Sequence, residues 1–213
     1  MKRRNLTIAV LLMFITIMVA GGCRQESLFD RNLIKNGDGS DGPAVPYDGV
    51  WEPPKHWDNT FGTMWISKYG EGAGSELAEA ESRGENDYYF WGGINSDGVI
   101  EQITDISRIS ELTDAGEVRY ELSALLGGYR NQNDRAKLTA NFLDSEGETL
   151  FSEQIGPVTN RDRNNITTML RREAEGMVPP GTRKIHFELR AIVEVGSNND
   201  GYADELSMIL RRR

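Results

Sequence analysis

The sequence predicts an all-β domain, a sandwich of about nine or ten antiparallel strands. Three observations carry that expectation. Apolar or β-branched residues recur at every second position in run after run. Glycine, asparagine, aspartate and proline punctuate the gaps between runs. No stretch holds the 3.6-residue period long enough for a substantial helix.

Leu33-Ile34 forms a short first strand, followed by a loop from Asn36 to Gly49 crowded with Gly, Asp, Ser and Pro. Met64, Ile66 and Lys68 alternate with Trp65, Ser67 and Tyr69, which is strand period. Asp87 to Trp91 is aromatic-rich, and Val99 to Ile106 alternates again. Val118, Tyr120, Leu122 and Ala124 share one face of a strand running to Leu126, and Leu138, Ala140 and Phe142 share one face of the next. Ser145-Glu146-Gly147-Glu148 turns the chain into a strand from Thr149 to Ile155. Arg163 to Glu175 is ambiguous between strand and helix, and we assign it as strand. Val178 to Thr182 is a turn into the strongest alternation in the chain, Ile185, Phe187, Leu189, Ala191, Val193 and Val195. The last strand runs from Ala203 to Leu210, and no internal repeat is present.

The chain opens with Lys2, Arg3 and Arg4, an apolar run from Leu6 to Ala20, and the small residues Ala20-Gly21-Gly22. Those are the three parts of a secretory signal peptide. Val19-Ala20-Gly21-Gly22-Cys23 then resembles the bacterial lipobox. The resemblance implies that Cys23, the single cysteine, is acylated on sulfur and becomes the mature N-terminus. Two alternatives stand beside it: an ordinary signal peptide with an incidental cysteine, and an uncleaved anchor, for which the apolar run is short of the roughly 20 residues a bilayer needs. The expected organisation is a leader at 1–22, a lipidated Cys23 with a tether to 32, and one domain at 33–213. The expected location is the bacterial cell envelope, anchored to the outer membrane or cell surface.

Without the leader, 21 basic residues face 33 acidic ones, a formal charge of −12. A surface of that sign repels nucleic acid and anionic head groups, so neither is an expected partner. With Cys23 committed to lipid there is no disulfide and no thiol chemistry. His56 and His186 stand far apart in sequence and offer little for a histidine metal site.

Several segments carry a further resemblance. Asn32 to Asp38 (N-L-I-K-N-G-D), followed by a tryptophan at Trp57, is similar to the opening of jelly rolls of the galactose-binding-like, carbohydrate-binding-module type. Asn199 to Leu210 is similar to their closing strand. Leu126 to Tyr129, Asn133 to Leu138, Gly156 to Thr159 and Val178 to Arg183 match a bacterial secreted subgroup between them. The resemblance implies a jelly-roll β-sandwich over nearly all of 33–210. It also implies one structural calcium ion where the first loop meets the last strand, with Asp38, Asp41 and Asp204 as side-chain ligands. Two departures bear on that ion: Gly39-Ser40 stands where a Phe-Glu or Ala-Glu pair is common, so the carboxylate often used for calcium there is missing, and Glu205 stands where Asn is usual. The same Asp, Asn and Gly residues are also ordinary turn formers.

Sugar-binding surfaces lay aromatic rings against pyranose faces and hydrogen-bond the hydroxyls with polar side chains. Trp51, Trp57 and Tyr129 lie in loop-like sequence, and Asn131, Asn133, Asp134 and Arg135 follow Tyr129 as polar partners. Each aromatic has a core reading beside the binding one. Arg161-Asp162-Arg163 is a ligand clamp or a set of solvated charges. No G-x-S-x-G elbow, H-E-x-x-H pair or phosphate loop is present. The expected function is therefore non-catalytic binding of glycan or another extracellular ligand. A structural lipoprotein docking another envelope protein is the alternative, and a carbohydrate-active enzyme the third class.

Overall fold

In a computed structural model that describes residues 27–44, 50–70, 76–77 and 87–213, the chain forms a jelly-roll β-sandwich of two antiparallel five-stranded sheets. Cys23 and the leader lie outside the described residues. One sheet joins β1 (Asp58–Phe61), β4 (Gly98–Asp105), β9 (Lys184–Ile192), β6 (Arg135–Leu143) and β7 (Thr149–Ile155), in that order. The other joins β2 (Trp65–Lys68), β3 (Tyr88–Trp91), β10 (Gly201–Arg212), β5 (Val118–Gly128) and β8 (Thr168–Met177). Between β4 and β5 lie a 3₁₀ turn, Ser107–Ile109, and one short helix, α1 (Ser110–Asp114).

Alternation explains the core. On β5, Val118, Tyr120, Leu122, Ala124 and Leu126 are buried between the sheets, and on β9 Ile185, Phe187, Leu189 and Ala191 meet them from the opposite layer. Their neighbours Arg119, Glu121 and Ser123, or Lys184, His186 and Glu188, are left on the outer faces. The ambiguous stretch is β8: pairing with β5 supplies the ladder, Leu170 and Ala174 pack on the core, and Arg171, Glu173 and Glu175 alternate outward.

Two expectations are corrected. Leu33-Ile34 is not a regular strand. Asn32 instead splices the chain to β10, its side-chain amide donating to Leu206 O (2.8 Å) while its Oδ1 accepts the Met208 N–H (3.0 Å). The tether does not extend to 32, because Leu28 is buried, Phe29 bridges Leu210, and Arg211 donates to Asp30 at 2.7 Å.

Candidate functional site

The outer face of the β2–β3–β10–β5–β8 sheet changes character along its strands. At the end where β10 begins, Trp65 stands opposite Trp91, Trp91 opposite Tyr202, Tyr202 opposite Gly127 and Gly127 opposite Met169. Farther along, Ser207 faces Ser123 and Ser123 faces Glu173. The next row is Ile209, Glu121 and Glu175.

The first rows build a second hydrophobic cluster outside the sandwich: Trp65, Tyr69, Leu77, Tyr89, Trp91, Leu125, Met169 and Tyr202. Trp65 and Trp91 meet edge to face at 5.3 Å, and Tyr89 contacts Tyr202 at 5.5 Å and Tyr69 at 5.1 Å. Two buried carboxylates fix the ring orientations. Tyr202 donates its hydroxyl to Asp200 at 2.9 Å, and Tyr69 donates to Asp204 at 3.0 Å. Burial pushes the Asp200 carboxyl up, the Tyr202 hydrogen bond opposing it. Burial and then the neighbouring Asp200 charge push the Tyr202 phenol well above its ordinary value.

The polar rows floor a groove made of two adjoining hollows of about 510 and 320 Å³ that share Ser123 and Ser207. The larger is bounded by the first loop (Asp38, Ser40, Asp41) and by Arg171, which is hydrogen-bonded to Glu205. The smaller is walled by Glu121, Glu173 and Glu175. A bulge in β10 between Asp204 and Ser207, with Glu205 at φ 49°, sends Asp204 toward the aromatic end and Glu205 into the groove. The first loop approaches so closely there that a Cβ on Gly37 would sit 2.2 Å from Leu206 O, so glycine is required.

The expected ligand residues divide. Trp57 is a core residue: it is 5% exposed, donates its indole N–H to Asn36 O and meets Phe90 edge-on, so no face is open to a sugar. Trp51 is half-buried at the edge of the outer cluster, its indole donating to Met64 O at 3.1 Å. Tyr129 packs on the same cluster, but the Arg130 guanidinium lies 4.7 Å over its ring. The polar stretch after it is spent within the fold. Asp134 is fully buried and accepts the backbone N–H groups of Glu194 (2.7 Å), Val195 (3.0 Å) and Asp200 (3.1 Å). Asn133 and Arg135 both donate to Glu194, and Asn131 O accepts from Asn160. Arg163 is 1% exposed and donates to the carbonyls of Gly128, Arg130, Gln132 and Ile166. These residues hold three loops together at one end of the sandwich and bring no convergent polar set to a ligand.

The calcium ligand set is not assembled. Asp204 accepts from Tyr69 and from the Glu205 N–H (2.6 Å), Asp38 accepts from the Ser40 hydroxyl and N–H, and Asp41 pairs with His56 at 3.4 Å. Among the described residues no three His, Cys, Asp or Glu side chains are grouped to hold a metal, so Asp38, Asp41 and Asp204 do not form the side-chain set expected for that ion. The groove residues Ser123, Ser207, Arg171 and Glu173 were not singled out in the sequence. Their signal was the outward half of the alternation on β5, β8 and β10, which becomes a site only once strand order is known.

No family model and no curated protein matches the chain. Among solved structures it is similar to the enzymatically active domain of bacteriophage CBA120 tailspike protein 4, at TM-score 0.51 and 13% identity, covering 84% of this chain and 21% of that one. The likeness shows the fold, and the chain spans about a fifth of that protein. Two further likenesses are fainter. The CBM22-1 xylan-binding domain from Paenibacillus barcinonensis Xyn10C gives TM-score 0.43 and 12% identity over 79% of this chain and 93% of that one. A cleaved adhesin domain of Lys-gingipain from Porphyromonas gingivalis gives 0.39 and 10% over 78% and 95%.

Proposed function

We propose that this domain binds carbohydrate, without catalysis, on the outer face of the β2–β3–β10–β5–β8 sheet, and that a lipid on Cys23 holds it to a bacterial membrane. The observation that carries the first part is one continuous face with two chemistries a glycan uses. An aromatic cluster, its inner rings buried with Leu77, presents the half-buried Trp51 and Tyr129 at its edge for the apolar faces of sugar rings. The adjoining groove, floored by Ser123 and Ser207 and walled by carboxylates, offers donors and acceptors for hydroxyls. The resemblance of Asn32 to Asp38 and Asn199 to Leu210 to carbohydrate-binding jelly rolls supports the same reading. The fold alone would not, because sandwiches of this kind carry many unrelated functions.

The test is retention of the mature protein on insoluble xylan, cellulose and chitin, with Ser207→Trp filling the groove. Ser207 is partly buried and lines both hollows, so the added ring should fill the groove rather than the core, and loss of binding with unchanged melting is expected. Equal binding by Ser207→Trp would remove the groove from the proposal, and retention on none of the three would remove these polymers as ligands. The anchor has its own test: Cys23→Ser should abolish incorporation of labelled palmitate and leave the leader uncleaved. Incorporation at the wild-type level would overturn the lipid assignment.

A further inference from the structure

The aromatic end of the proposed binding face is occupied by the chain itself. Leu77, in the connection from β2 to β3, is fully buried in the outer cluster with Trp65, Tyr89, Trp91 and Tyr202. Beside it, the Glu76 carboxylate accepts from the Thr167 hydroxyl at 2.6 Å and from both Nε (3.3 Å) and Nη2 of Arg130. Thr167 in turn accepts the Arg130 N–H at 3.2 Å. A leucine thus fills the aromatic bowl, and one carboxylate fastens it to the loops after β5 and before β8.

Within the same cluster the Trp65 indole N–H is buried and has no hydrogen-bond partner among the described residues. The indoles of Trp51 and Trp57 both donate to backbone carbonyls. A buried donor left open is costly, and a ligand oxygen reaching the cluster would satisfy it.

We propose that Glu76 and Leu77 form an autoinhibitory plug: Leu77 holds the aromatic seat that a sugar ring would take, and the seat opens when the Glu76 latch lets go. The proposal rests on the carbohydrate reading of this face. The fastening is of the kind that opens locally. The Arg130 and Glu76 side chains are 58% and 37% exposed, so their ion pair is screened by solvent, and the latch is made by side chains rather than by a strand ladder. A ligand that binds only the open form has its apparent affinity reduced by the open fraction, so weakening the latch should tighten binding in proportion.

Two measurements on the mature protein test this, each on wild type, Glu76→Ala and Leu77→Ala. The first is hydrogen exchange of the Trp65 indole proton against the slowest core amides of β5 and β9. The Trp65 proton should exchange through an opening that leaves those amides protected, and Glu76→Ala should speed it about tenfold without changing theirs. Exchange of Trp65 only together with the core amides would overturn the plug and make Leu77 an ordinary core residue. The second is affinity for xylan, cellulose and chitin, which Glu76→Ala should raise about tenfold for whichever polymer the wild type binds. Local opening with unchanged or weaker affinity would overturn the inhibitory role. Local opening with no retention of any of the three proteins would overturn the carbohydrate reading, and the proposal with it.

Discussion

At the scale of single residues, burial decides which aromatic or charged side chains are free to act. Trp57 sits between the sheets, so Trp57→Ala should cost about 3–5 kcal/mol of stability in denaturant melts, the range for deleting a buried aromatic, and any effect on polysaccharide binding should follow from unfolding. A variant that melts like wild type would place Trp57 at the surface. Glu76 behaves oppositely because its role is electrostatic. Hydrogen bonds from Arg130 and Thr167 hold its carboxyl below the ordinary value against a smaller upward push from burial. A carboxyl lowered by folding contributes stability that is present above its unfolded value and is lost as pH falls through the lowered folded value. The Trp65 indole proton should accordingly exchange faster, relative to the core amides, as pH is taken down through that interval. Glu76→Ala should show no such increment. Opening that is independent of pH in wild type would detach the carboxylate from the latch.

Elements differ in how much of themselves they wrote into the sequence. β5, β6 and β9 each bury one face against the opposite sheet, so period-two alternation fixed both their existence and their inward residues. β1 was missed because Asp-Asn-Thr-Phe, at the edge of its sheet, buries almost nothing and leaves no hydrophobic pattern. β8 was ambiguous for a related reason: its outer face is charged, and its pairing with β5 is invisible without the fold. The candidate site was legible only at its margins. Trp51 and Tyr129 were singled out as loop aromatics, but the cluster they edge is built mostly from strand residues on the outer face, together with Leu77. The first loop and last strand were rightly expected to meet, and they do so through Asn32, Gly37 and Leu206. What joins them is a hydrogen-bonded splice rather than three carboxylates. Exhaustive chelation should therefore leave the melting temperature unchanged, whereas Asn32→Ala, which strands the Leu206 carbonyl and Met208 N–H, should lower stability by about 1–3 kcal/mol. A chelator-dependent shift in melting would restore a metal to this junction.

Across the whole molecule the excess of acid over base becomes a statement about ligands where carboxylates line the proposed site. Asp38, Asp41 and Glu205 line one hollow of the groove, and Glu121, Glu173 and Glu175 the other, with Arg171 as the one cation lining either. Arg171 is already bonded to Glu205, Arg119 pairs with Glu121 and Glu175, and Arg211 with Glu121, so Glu173 is the groove glutamate that has no ion pair among the described residues. A polysaccharide carrying carboxylate or sulfate would meet a field of its own sign in a partly enclosed space, where repulsion is less screened than on an open surface. Discrimination of this kind works by excluding the wrong ligand rather than by tightening the right one. Neutral polymers should thus bind with little dependence on ionic strength. A uronic-acid or sulfated polymer of matched backbone should bind weakly at about 0.01 M salt and gain as the Debye length shortens from about 30 Å toward 8 Å at 0.15 M. Replacing Glu173 and Glu121 together by Gln should narrow the gap between the two classes while leaving neutral binding in place, since the amide keeps the size and the hydrogen-bonding oxygen. An acidic polymer that binds more tightly at low salt than at high would show that the groove does not set the ligand's charge.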